Sequence, residues 1–162
     1  VFLPDEGSPY RAFAEDFEPM RTEVYEGFIA CALKGSGQGD LGDAQALIEQ
    51  INRRATQARA SYAVHLRERC LPTLGQLAVR LRSMEVPPDL RGGVRELASS
   101  VDEQSSAWED YAAFLATLED RYDPGTVAGP LERIAHGWED FLIRHRRLGS
   151  TARTKGEAGR RF

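Results

Sequence analysis

The chain has 162 residues, 41% of them hydrophobic, and a formal net charge of −4. That length suits one domain whose core needs no metal or disulfide staple, and the longest apolar stretch, "YEGFIACAL", is far too short to cross a bilayer. Residues 144–162 hold Arg144, Arg146, Arg147, Arg153, Lys155, Arg160 and Arg161 against Glu157 alone, a surplus of +6 that leaves −10 on the rest, so the body repels nucleic-acid phosphates.

Residues 1–8 read as a proline-bearing linker, 9–148 as a single helical domain, and 149–162 as a basic tail. Over 9–33, Tyr10, Phe13, Phe17, Met20, Val24, Phe28 and Cys31 recur at helical spacing, with Pro19 placed to kink the helix. "KGSGQGDLGD" is a glycine-rich connection in which Asp40 or Asp43 caps the next helix. Residues 41–85 predict a long second helix along Ala44, Ile48, Ile51, Ala55, Ala58, Tyr62 and Leu66. The stripe then continues through Cys70, Leu74, Leu77, Leu81 and Met84. Pro72 lies inside it, which predicts a kink or break near residues 68–72.

The third helix has the clearest pattern. From "PPDL" onward, Leu90, Val94, Leu97, Val101, Gln104, Trp108, Tyr111, Leu115, Leu118 and Tyr122 alternate at fours and threes, and "DPGT" closes the run. Val127, Leu131, Ile134, Trp138, Phe141, His145 and Leu148 carry the same rhythm through a fourth helix. No strand pattern occurs. Short connections make successive helices antiparallel neighbours, so the expected fold is all-α, an antiparallel up-down-up-down four-helix bundle.

Folding the chain about "DPGT" predicts the facing pairs Leu118–Leu131, Leu115–Ile134, Tyr111–Trp138, Trp108–Phe141 and Gln104–His145. The fold about "VPPD" brings Cys70 to the level of Gln104. This register yields two candidate sites. Trp108, Tyr111, Trp138 and Phe141 form an aromatic cluster suited to a flat or apolar ligand, although such clusters are most often plain core. Cys70, Gln104 and His145 form a polar layer, read either as a thiol activated by an imidazole or as two donors for a soft metal. Against that stands a buried thiol beside a Gln–His hydrogen bond that sets helix register.

No metal site is expected. Two ligands fall short of the three or four that zinc takes, and the chain lacks the Glu-x-x-His pairs of ferritin-like centres. Glu132, His136 and Glu139 share a line opposite the fourth helix's apolar seam and face solvent. His65 reads as a boundary residue at the flank of its stripe. The two cysteines read as free thiols, with an intermolecular bridge as the alternative. Along a straight helix Cys70 lies roughly 39 Å beyond the level of Cys31, and a bridge needs Cα atoms within about 7 Å. Only a full reversal of the chain before Cys70 would join them.

There is no phosphate-binding loop, nucleophile elbow, His-Glu-x-x-His, calcium loop or haem-attachment motif, so neither catalytic residues nor a cofactor are expected. The first functional expectation is therefore a non-enzymatic interaction or scaffold protein, an accessory subunit of a larger assembly. A carrier using the aromatic core comes second, and a thiol-based enzyme at Cys70 and His145 last. Arg144, Arg146, Arg147, Arg153, Arg160 and Arg161 are the candidate contacts for an acidic partner or anionic surface. More simply, arginines in a last turn complement the helix dipole. The linker-like start at Val1 and the scarcity of lysine (only Lys34 and Lys155) favour an exported bacterial protein over a cytoplasmic one.

Overall fold

The computed structural model describes residues 8–36, 52, 56–119 and 121–159. These form α1 (Ser8–Phe17), α2 (Pro19–Ser36), α3 (Thr56–His65), a π-helical turn (Leu66–Cys70) and α4 (Leu71–Ser83). A 3-10 turn (Pro88–Leu90), α5 (Arg91–Thr117) and α6 (Pro124–Gly159) complete the order. No strand occurs among the described residues, so the chain is all-helical there. Residues 1–7, Asp40 and Asp43 of the glycine-rich connection, Ala44, Ile48, Ile51, Ala55, Arg160 and Arg161 lie outside them.

Each helix forms because its apolar side chains recur every three or four residues, giving one stripe that leaves water. Phe13, Phe17, Met20 and Phe28 are buried on α1 and α2, and Leu74, Leu77 and Leu81 on α4. Val94, Leu97, Val101, Trp108, Tyr111 and Leu115 are buried along α5, facing Ile134 and Phe141 of α6. Each such burial contributes about 1.5–3 kcal/mol. Glu132, His136 and Glu139 are exposed, as their position opposite the seam dictates. Pro19 divides the first helical run rather than bending it. It has no N–H to donate, so it sits where a helix starts, while the Glu18 N–H still bonds the Ala14 carbonyl at 2.9 Å.

The connection between α5 and α6 corrects the expected register. "DPGT" opens α6 instead of closing α5: the Asp123 carboxylate accepts the Gly125 N–H at 3.0 Å, its carbonyl accepts the Thr126 N–H at 2.9 Å, and Pro124 takes the first helical position. The link is thus centred about four residues earlier than "DPGT", near residue 120. Antiparallel partners shift by about two helical turns as a result. Gly93 meets Leu148, Arg144 bonds Glu96 at 3.0 Å, Gln104 donates to the Ile134 carbonyl at 3.2 Å beside Gly137, and Arg133 pairs with Asp110. Gln104 and His145 therefore do not face each other.

The described part of the basic tail, residues 149–159, continues the last helix. Helix α6 runs on to Gly159, and Gly149, Ala152 and Gly156 are buried at spacings of three and four. That stripe of small residues lets α1 lie close. A Cβ at Gly156 would come within 2.7 Å of the Arg11 side chain, and the Arg11 guanidinium donates to the Gly156 carbonyl at 3.0 Å. Arg153 pairs with Glu18 at 2.6 Å and Lys155 with Asp89. These exposed pairs contribute roughly 0–1 kcal/mol each; the close approach along the small residues is what keeps the tail helical and docked. No helix among the described residues is long and apolar enough to cross a membrane.

Candidate functional site

Cys31 of α2 and Cys70, the last residue of the π turn, form a disulfide with Cα atoms 5.6 Å apart. The expectation of two free thiols is corrected. The pairs Glu23–Arg80 (2.7 Å between charged groups), Gly27–Thr73 and Cys31–Cys70 run antiparallel and are centred near residue 51, not on the glycine-rich stretch around residue 38. The chain does reverse fully before Cys70. A separation of roughly 39 Å would require these pairs to be centred on the glycine-rich stretch, and they are centred about thirteen residues later.

His65, the last residue of α3, completes the cluster. Its Nε2 lies 2.8 Å from the Cys31 carbonyl oxygen and 3.8 Å from Cys31 Sγ. A carbonyl only accepts, so Nε2 carries a proton in this state and donates it. Cys70 is fully buried, whereas Cys31 and His65 are half-buried, so solvent reaches the bridge from the Cys31 side. Local sequence explains why His65 and Cys70 meet. Five residues along an α-helix turn the chain by about 500°, which leaves their side chains about 140° apart. Over Leu66–Cys70 the bonding changes to i→i+5, with the Leu71 N–H on the Leu66 carbonyl, and all five residues fit in one wider turn. Pro72 comes directly after. Its ring would clash with the carbonyl four residues back in an α-helix, and the wider turn avoids that clash.

No family model, curated protein or solved structure matches this chain.

The expected polar layer is not assembled. Cys70 is bonded to Cys31, Gln104 donates to the Ile134 carbonyl, and His145 hydrogen-bonds the Phe17 carbonyl at 2.8 Å. A thiol–imidazole pair built from Cys70 and His145 is therefore absent. The imidazole close to Cys70's sulfur is that of His65, which reads from sequence as a boundary residue. The signal is a histidine five residues before a cysteine with a proline just beyond, and it becomes visible only if a π turn is allowed.

His145 is stacked on Phe17, with ring centroids 4.1 Å apart. Burial pushes its pKa below the ordinary histidine value and outweighs the hydrogen bond to the Phe17 carbonyl, which acts in the opposite direction. Arg21 lowers the pKa further, and Glu18 raises it. The folded chain thus takes up this proton at lower pH than the unfolded chain. The stability from neutral His145 is complete above a pH of about 6.5 and is lost as pH falls through the depressed folded value. His145→Gln is expected to flatten the loss of melting temperature between about pH 7 and about pH 5. Parallel slopes for the two proteins would show that His145 does not carry it.

The aromatic residues do join, through a side chain that the expected cluster lacks. Phe28 of α2 meets Trp108 edge-on at 5.0 Å and Trp138 at 6.0 Å; Tyr111 and Phe141 extend the array on either side. The Tyr111 hydroxyl donates to the Asn52 side chain at 2.8 Å, and burial keeps it neutral. The void beside Trp138 and Phe141 holds about 10 Å³, against the 300 Å³ or more typical of a ligand pocket. A flat ligand would have to part the rings. Among the tail arginines, Arg144 is held by Glu96 and Asp140 and Arg153 by Glu18, while Arg146 and Arg147 are exposed.

Proposed function

We propose that this chain is a non-enzymatic scaffold, an accessory subunit that binds a protein partner. In this reading the helices make an antiparallel up-down-up-down four-helix bundle whose second rod bends at the π turn before Pro72. One observation carries the reading. An open groove of about 920 Å³ lies where α1 passes the corner between α4 and α5, with Phe13, Leu81 and Val94 as its floor and Asp16, Arg91 and Arg95 among its rim. An apolar floor inside a charged, arginine-bearing rim is the composition of a protein interface. The occupant it suits is an amphipathic segment with an apolar anchor and carboxylates facing Arg91 and Arg95. The groove is favoured over the tail because Arg144 and Arg153 are already engaged within the chain. The Cys31–Cys70 bridge supports an oxidising compartment, and with it export.

Ala12 is exposed on α1 and lines this groove, so Ala12→Arg fills it at a stability cost within about 0.5 kcal/mol. Gentle isolation from the native source, followed by size-exclusion chromatography with light scattering at low and high salt, is expected to show a stoichiometric partner on the wild type. That partner is lost from Ala12→Arg while the melting temperature stays the same. A bare monomer at both salt concentrations, or equal retention by the variant, refutes the reading.

A further inference from the structure

We propose that reduction of the Cys31–Cys70 bridge converts this cluster into a zinc site with Cys31, Cys70 and His65 as ligands. Neither the groove nor a protein partner enters into it. One sulfur or nitrogen donor from each of the three residues lies within 4.8 Å of the others. Two soft thiolates and one imidazole are the ligand types that select Zn²⁺ over harder cations. At Zn–S of about 2.3 Å and Zn–N of about 2.0–2.1 Å, donors on one tetrahedral ion stand about 3.5–3.8 Å apart. The Cys31 Sγ to His65 Nε2 separation of 3.8 Å lies within about 0.3 Å of the sulfur–nitrogen spacing on such an ion. The two sulfurs must part by less than about 2 Å, and the donors must settle to that spacing from separations of at most 4.8 Å, movements on the scale of side-chain rotation with the helices in place.

The chemistry proceeds in two steps. A dithiol reductant gives two electrons and two protons to the bridge: its thiolate attacks the half-buried Cys31 sulfur, Cys70 leaves, and the mixed disulfide resolves to two protein thiols and an oxidised, cyclised reductant. Zn²⁺ then displaces both thiol protons. For ligation through Nε2, the His65 proton moves to Nδ1 and the hydrogen bond to the Cys31 carbonyl is given up. The net release is two protons per zinc. Three protein ligands leave a fourth position for water or for a donor from another molecule. Disulfide and zinc exclude each other, so occupancy reports the redox state of the surroundings.

The test reduces the full chain with a dithiol, removes the reductant under argon, and titrates it with Zn²⁺ alone and, separately, with Co²⁺ as an absorbing stand-in. Reduced wild type is expected to bind one Zn²⁺ and release two protons, with thiolate-to-cobalt charge-transfer absorption in the Co²⁺ arm. The oxidised chain is expected to bind none. His65→Ala, which keeps both cysteines and the bridge, is expected to weaken Zn²⁺ at least about tenfold, the scale that even outer-sphere groups reach. If reduction loosens the helices, recovery of their circular dichroism on adding Zn²⁺ supports the site. No stoichiometric binding, an affinity unchanged in His65→Ala, or helicity that zinc fails to restore overturns it.

Discussion

Replacing both cysteines by alanine is expected to destabilise the protein by about 4 kcal/mol, the loop-closure value for a bridge across 39 residues. For a chain of this length, that corresponds to a fall of about 8–16 °C in melting temperature. The bridge ties α2 to the π turn, so its loss frees the first helical run from the second. Scanning calorimetry on the wild type, the double alanine variant and the dithiol-reduced wild type checks it. The last two are expected to melt together. A shift smaller than about 2 °C would mean that packing alone holds α2 in place and that the bridge constrains nothing in the unfolded chain.

Trp108→Ala is expected to cost about 3–5 kcal/mol, the range for removing a buried aromatic whose neighbours cannot close the gap. Trp108 is fully buried and meets Phe28 and Tyr111 edge-on, so one truncation unseats contacts from α2 as well as from its own helix. Val79, exposed on α4, serves as the control. Val79→Ala is expected to change stability by no more than about 0.5 kcal/mol. Urea unfolding resolves both, with a lower midpoint at constant slope for Trp108→Ala. A cost below about 1 kcal/mol would show that the two tryptophans do not anchor the core.

The burial pattern is readable residue by residue. In α5 and α6 the positions that recur at three-and-four spacing are the buried ones, from Val94 and Leu97 through Trp108 to Ile134 and Phe141, with Leu131 and Leu148 partly buried. His136 lies outside, as its phase requires. Such periodicity is a local property, set by the 100° each residue turns along an α-helix. The tail escapes this reading because Gly149, Ala152 and Gly156 hardly register on a hydrophobic pattern. Their contribution is closeness to α1, which shows only when α1 is present.

The candidate site is less accessible. Sequence periodicity singles out Cys70, but with His145 and Gln104, because layers counted from turns placed a few residues wrong join the wrong partners. An error of four residues in the centre of a reversal moves every partner by two turns. Local sequence does not correct it, since "DPGT" serves equally well to end one helix or begin the next. His65 is missed for a related reason. Its approach to Cys70 depends on a wider turn at Leu66–Cys70, a departure from the regular helical period.

By itself, then, the sequence determined the helical class of the described residues and the face that α5 and α6 bury up to the tail, because both come from side-chain spacing within one turn. Only the tertiary structure decided which faces meet, and with them the Cys31–Cys70 bridge and its histidine. Partners 34 and 39 residues apart are set by where the chain reverses and by a single extra residue in one turn, and neither changes the hydrophobic pattern.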